Sequence, residues 1–208
     1  MEFSQQAPPT LILGTVQLGM PYGIANTTGQ PDLATARKIV ETALDHNITY
    51  FDTAQAYGDS ERILGTILEE LGAHANVHLS SKLAASLDPS DAGAIAAAIE
   101  ASLTRLRTGR LWCMLLHQPA WLSSWNDGVG DALRHSQSQG TIAHLGVSLN
   151  TPRDAPPVLA HPEITVIQAP CNAWDRRMQE QGYLKTAQDR GQCCCIRSIY
   201  LQGLLTLT

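Results

Sequence analysis

The stretch ITYFDTAQAYG (Ile48–Gly58) decides the fold class. It opens as an apolar, strand-like run and closes on an acid, a turn and a phenol. Two later stretches repeat the design: VHLSSK (77–82) ends on an amine, and LWCMLLHQP (111–119) ends on an imidazole before a proline turn. Helix-like segments separate them. Short strands alternating with helices indicate a βα repeat. In a parallel barrel the carboxyl ends of the strands converge on one face, where barrel active sites lie. Asp52, Tyr57, Lys82 and His117 are therefore expected to meet in one pocket. An acid, a phenol, an amine and an imidazole together make a set able to move protons.

Working outward from these stretches, the pattern continues to both ends. LILGT (11–15) reads as a first strand, followed by a Gly/Pro-rich loop. Leu33 to His46 reads as a helix with Asp32 as its N-cap and Ile39, Val40, Ala43 and Leu44 on one face. Ser60-Glu61 opens a second helix that Gly72 stops. An Ala-rich helix is expected from about Asp91 to Arg107, and another from Val129 to Gln139. IAHLGVS (142–148) and ITVIQAP (164–170) read as the fifth and sixth strands, with a Pro-interrupted helix around 152–160 between them. A last helix around Met178 to Arg190 leads to CCCIRSI (193–199), the seventh strand. The rival for such alternation is an open doubly wound sheet. Its G-x-G-x-x-G turn is absent: Gly14, Gly19 and Gly23 have the wrong spacing.

The 208 residues, 44% of them hydrophobic, are enough for one domain (1–208) with a full core. A net charge of −5 and the lack of any basic block argue against a nucleic-acid partner. No apolar run is long enough to span a bilayer, and MEFSQQAPPT has neither a basic nor an apolar signal region. Cys193, Cys194 and Cys195 are consecutive, which suits neither disulfides nor zinc, and they read as small buried hydrophobes in a reducing cytosol. His74, His78, His135, His144 and His161 show no ligand spacing, so no metal is expected. The expected location is cytoplasmic.

Taken in order, these segments resemble the aldo-keto reductases. LILGTVQLG, FDTAQAYGDSE, SSK, LLHQP, GVSLN, VIQAPCNAWDRR and IRSIYLQGLL match seven family segments. Each is weak alone; seven in the right order are specific. GMPYGIANTTGQP and RSIYLQGLL also resemble a bacterial subgroup linked to surface-polysaccharide synthesis. The resemblance implies a (β/α)8 TIM barrel and NADPH-dependent, reversible reduction of a small-molecule aldehyde or ketone. Tyr57 would donate the proton to the carbonyl oxygen, Lys82 would favour the ionised phenol, Asp52 would hold Lys82, and His117 would orient the substrate.

For the cofactor, the resemblance points to Gly14 and Thr15 in the first loop, Asp52, Ser148 and Gln168 for the nicotinamide amide, and Gln202 and Gly203 near the pyrophosphate. Two positions depart from the family. The common Ser-Asn pair is Ser148-Leu149 here, with Asn150 one step later. Arg197 stands where many relatives carry an aromatic under the nicotinamide; it would either stack as a planar guanidinium or pair with a carboxylate. Tyr22, Trp121 and Trp125 lie in loops that would either wall the pocket or pack on the surface.

Singly, each of the four has a plainer reading: Asp52 as a cap, Tyr57 as a turn aromatic, Lys82 as a solvated strand end, His117 as a loop cap. Their joint placement reverses those odds. The sequence stops at Thr208, just after the seventh strand, so the expected barrel is incomplete, lacking the eighth βα unit and the segment that grips the 2′-phosphate in the family. Unpaired edges at the first and seventh strands would be met by further chain, by a homo-oligomer, or by direct pairing of those strands. Besides a reductase, two readings stay open: a reductase-like binding or regulatory protein, and a fragment without cofactor binding.

Overall fold

A computed structural model describes residues 11–207; the expectations for Met1–Thr10 lie outside the described residues. Seven parallel strands form one sheet in chain order: β1 (Leu13–Gly14), β2 (Tyr50–Asp52), β3 (His78–Leu83), β4 (Leu111–Leu116), β5 (Ile142–Ser148), β6 (Val166–Pro170) and β7 (Cys193–Arg197). Sequential order in an all-parallel sheet is the barrel pattern, and the described residues supply seven of the eight strands expected of a (β/α)8 barrel. Among the described residues β1 and β7 do not pair with each other, so direct closure of seven strands does not occur.

The helices cover the outside: α1 (Val16–Gly19), α2 (Leu33–Asp45), α3 (Ser60–Glu70), α4 (Ala92–Leu106), α5 (Val129–Ser138), α6 (Ala155–Ala160), α7 (Arg177–Glu180) and α8 (Tyr183–Asp189). Local chemistry sets their ends. The Asp32 carboxylate accepts from the Thr35 amide at 2.7 Å and starts α2, and Asp91 accepts from the Ala94 amide at 2.8 Å and starts α4. Such caps satisfy amides that the first helical turn leaves free. The single last helix expected over 178–190 is two, α7 and α8, because Gly182 takes φ 74° between them.

Strand alternation builds two apolar layers. Phe51, Leu79, Met114, Leu116, Leu145, Val147 and Ile167 face outward and pack on Val40, Leu64, Leu68, Ile95, Ile99 and Leu133 of the helices. Each fully buried side chain of this kind contributes about 1.5–3 kcal/mol. The opposite positions form a smaller inner layer of Cys113, Leu115, Val166 and Cys195, with Ile12, Trp112 and Cys193 against it. Burial pushes the Cys113 thiol well up, so it stays a neutral filler. Trp121 and Trp125 are packed away instead: a 3₁₀ segment, Pro119–Asp127, buries both in the outer layer.

Candidate active site

Inward positions recur every second residue along a strand, and the site takes the last such position of almost every strand. Gly14 ends β1, Asp52 ends β2, Lys82 lies near the end of β3, His117 follows β4, Ser148 ends β5, Gln168 lies near the end of β6, and Arg197 ends β7. A cavity of about 620 Å³ opens among them. Its lining includes Gly14, Thr15, Asp52, Tyr57, His117, Ser148, Gln168, Arg197, Gln202 and Gly203, and Lys82 sits beneath, bonded to Asp52. The catalytic and cofactor positions expected from the sequence are thus brought together, while Trp121 and Trp125 stay apart from them.

The acid and the amine form the floor. Lys82 is fully buried, and its Nζ donates to Asp52 Oδ1 at 2.8 Å, to Asp52 Oδ2 at 2.7 Å and to the Thr53 carbonyl at 2.8 Å. All three ammonium protons are thereby used. The same Nζ lies 5.0 Å from the centroid of the Tyr57 ring. The Tyr57 and His117 rings meet edge to face, with centroids 6.1 Å apart. Burial holds the His117 imidazole below the ordinary histidine range; Lys82 and Arg197 push the same way, and Asp52 opposes them. His117 is therefore neutral at pH 7 and has one N–H to donate.

Tyr57 is placed by close backbone contact. A Cβ at Gly19 would fall 1.9 Å from the Tyr57 carbonyl, and one at Gly58, which has φ 53°, would fall 2.3 Å from the Gly19 carbonyl. Only glycines let the α1 turn and the Tyr57 loop approach so closely. A buried hydroxyl knot ties the loops below. Thr15 Oγ1 donates to the Asp52 carbonyl at 3.0 Å, Ser60 Oγ donates to the Thr15 carbonyl at 2.8 Å, and Thr53 Oγ1 donates to Ser60 Oγ at 3.0 Å.

On the far wall, Gln168 Nε2 donates to Asp52 Oδ1 at 3.0 Å, and Ser148 Oγ donates to Gln168 Oε1 at 3.3 Å. The Gln168 amide keeps one N–H and one lone pair for a ligand. Asn150 lines the cavity as well, with its Oδ1 3.3 Å from Arg197 Nη2. Arg197 Nη2 also donates to the Leu149 carbonyl at 2.8 Å, while its Nε is buried without a partner. These groups fit a nicotinamide cofactor: a free amide edge, an orphaned donor, and a bare wall at Gly14, where an added Cβ would meet nothing within 4 Å.

The loops after β1 and β7 meet above the seam. The Ala25 amide donates to the Gln202 carbonyl at 3.3 Å. Gln17, Ser198, Ile199, Tyr200 and Thr206 line the cavity from these loops; sequence reading missed them because no periodic pattern marks a loop wall. Tyr22, by contrast, lies in the cavity wall as one of its expected outcomes. Among the described residues no group of three or more His, Cys, Asp or Glu side chains is placed to hold a metal, and no helix is long and apolar enough to cross a membrane.

The sequence pattern of the aldo/keto reductase family matches residues 10–207. The chain belongs to the aldo/keto reductase family. It is 29% identical over 217 residues to the aldo-keto reductase YhdN of Bacillus subtilis, an alignment covering 99% of this chain and 64% of that protein. The chain thus spans a little under two thirds of that relative's length. In structure it resembles an aldo-keto reductase from Pseudomonas aeruginosa, with a TM-score of 0.79 at 27% identity over 93% of this chain and 74% of the other. It shares its fold with a Bombyx mori aldo-keto reductase solved in complex with NADP, with a TM-score of 0.72 at 19% identity over 91% of this chain and 62% of that one.

Proposed function

We propose that this chain carries out reversible reduction of an aldehyde or ketone with NADPH, with Tyr57 as the proton donor. One observation carries the reading. A phenol and a neutral imidazole face the same cavity, above a buried ammonium whose charge a part-buried carboxylate balances. Aldo/keto reductases are oxidoreductases, and the Bombyx mori protein of this fold holds NADP. When bound, the cofactor supplies a hydride to the carbonyl carbon.

This chain's residues would do the rest. The Tyr57 hydroxyl gives its proton to the carbonyl oxygen as charge develops there, and Lys82 stabilises the phenolate left behind. The His117 N–H donates to the same oxygen and fixes its direction. Asp52 keeps Lys82 charged and stationary. Ser148 and Gln168 would receive the nicotinamide amide, Gly14 and Thr15 would flank the ring and ribose, and Gln202 and Gly203 would approach the phosphates. The natural activity is proposed for a carbonyl compound small enough for the cavity.

A reductase-like binding protein without turnover is the second reading. It is favoured by the cavity lining, which holds one Lys or Arg among the described residues, Arg197, whereas a cofactor phosphate is ordinarily gripped by several. Fluorescence titration with NADPH, followed by a carbonyl screen with wild type and Tyr57→Phe, separates the two. We expect saturable NADPH binding by both proteins and a turnover loss of about 10²–10⁴-fold in Tyr57→Phe. Binding with no turnover by wild type would favour the second reading, and equal turnover by the variant would sink the role of Tyr57.

A further inference from the structure

Arg197 has an unusual setting for a half-buried cation. Its guanidinium enters the cavity shared by Asp52, Tyr57 and His117, and backbone and amide oxygens hold it at Leu149 and Asn150. No carboxylate of the described residues pairs with it. The cavity's one acidic side chain, Asp52, is already engaged by Lys82. An arginine does not lose its proton in a protein. Asp52 and Lys82 cancel and His117 is neutral, so the cavity carries one uncompensated positive charge. Its field reaches the reacting end, where it helps depress His117.

The two redox forms of a nicotinamide cofactor differ in one respect that this charge can sense. The reduced ring is neutral and the oxidised ring is a cation, while the phosphates and the adenosine are the same in both. A fixed positive charge facing the ring penalises the oxidised form and leaves the reduced form unaffected. We propose that Arg197 is a redox-state selector, making the cavity bind reduced nicotinamide in preference to oxidised. This rests on the reading that the chain binds NADPH. Over a few Å, in a partly screened cavity, the discrimination should be about tenfold. The functional result is rapid release of spent cofactor and little inhibition by NADP⁺, so carbonyl reduction continues while oxidised cofactor accumulates.

The test compares dissociation constants for NADPH, by fluorescence, and for NADP⁺, by competition against NADPH. It uses wild type, Arg197→Met, Arg197→Gln and Arg197→Lys, each first shown folded by circular dichroism. Wild type should bind NADPH about tenfold more tightly than NADP⁺. Met and Gln should bring the ratio towards one, chiefly by tightening NADP⁺; Lys should keep it. Gln retains a donor for the Leu149 carbonyl, which separates loss of charge from loss of packing. A mere phosphate anchor would weaken both forms equally and leave the ratio unchanged. That result, or a wild-type ratio near one, overturns the selector while leaving the reductase reading intact. Failure of wild type to bind either form overturns the reductase reading and the selector with it.

Discussion

The two sides of the cavity are built to different standards. On the β2–β4 side, Lys82 is 0% exposed, every ammonium proton is used, and Thr15, Thr53 and Ser60 close a buried hydroxyl knot beneath. On the β7–β1 side, among the described residues both strands pair on one flank only, and the loop after β7 takes positive φ at Ser198, Leu201, Gln202 and Gly203. Apolar side chains there face solvent, among them Ile24 at 68% and Leu207 at 61% exposure. The contrast separates two tasks. The described residues fix the half of the site that holds Asp52, Tyr57, Lys82 and His117 by themselves. The seam half is held by a few loop contacts, and its shape is the part a ligand can reset.

The sealed side should break hardest. Asp52→Asn leaves the Lys82 ammonium buried with no counter-charge, which is destabilising by about 3–5 kcal/mol. Lys82→Met should be less damaging, because Asp52 is 17% exposed and keeps its bond from Gln168. Urea unfolding measures both. A loss below about 1 kcal/mol for Asp52→Asn would mean that water reaches Lys82 and that the two sides do not differ as described.

A second contrast is between two glycines. Gly19→Ala drives a Cβ into the Tyr57 carbonyl and the Ser60 amide. We expect a stability loss of about 1–3 kcal/mol and a fall in turnover as the Tyr57 loop moves away from His117. Gly14→Ala meets nothing within 4 Å and should leave stability within about 0.5 kcal/mol of wild type. Equal effects in the two variants would refute the view that close approach at Gly19 positions Tyr57.

Legibility in the sequence follows the same division. β5 was readable to the residue, Ile142–Ser148, because a central strand is held by neighbours on both flanks. LILGT, read as five residues, keeps only Leu13–Gly14, since an edge strand has one partner to define it. Trp121 and Trp125 stand four apart, a helical spacing, yet in the sequence they read as loop residues. Glu61 looked like a simple helix opener. Its carboxylate is buried and accepts from Ser81 Oγ and Arg105 Nε, each at 2.6 Å, a contact between distant segments with no local signature. The convergence of Asp52, Lys82 and His117 was legible because barrel topology alone dictates it. The loop wall after β7 was not, because it depends on φ values that no residue pattern announces.

The pH dependence sharpens the comparison from inside the cavity. Burial holds His117 below its unfolded value of about 6.5 in the folded state. As pH falls, the unfolded chain takes up this proton first. Stability from His117 is therefore full above about pH 6.5 and declines as pH drops from there towards the folded-state value. Burial holds His78, His144 and His161 low as well, so the share of His117 is read as the flattening of the acid limb in His117→Gln. Arg197→Met should raise the His117 titration, followed by ring-proton NMR, because it removes one of the charges pushing it down. A His117 titrating above 6.5 in wild type would contradict the arrangement of charges in the cavity.

The smallest effect is expected at the seam surface. Ile24→Ser and Leu207→Ser each remove an apolar side chain that is more than 60% exposed, so little burial is lost with it. Both should stay within about 0.5 kcal/mol of wild type in urea unfolding. Leu115→Ala, in the inner layer and 1% exposed, should lose about 2–5 kcal/mol by opening a cavity. The ratio between these losses measures how unequal the two sides are. If Ile24→Ser or Leu207→Ser were to lose more than about 1 kcal/mol, those side chains would have to be covered in solution. The seam would then be an interface, and the effect should shrink on dilution if a second copy supplies the cover.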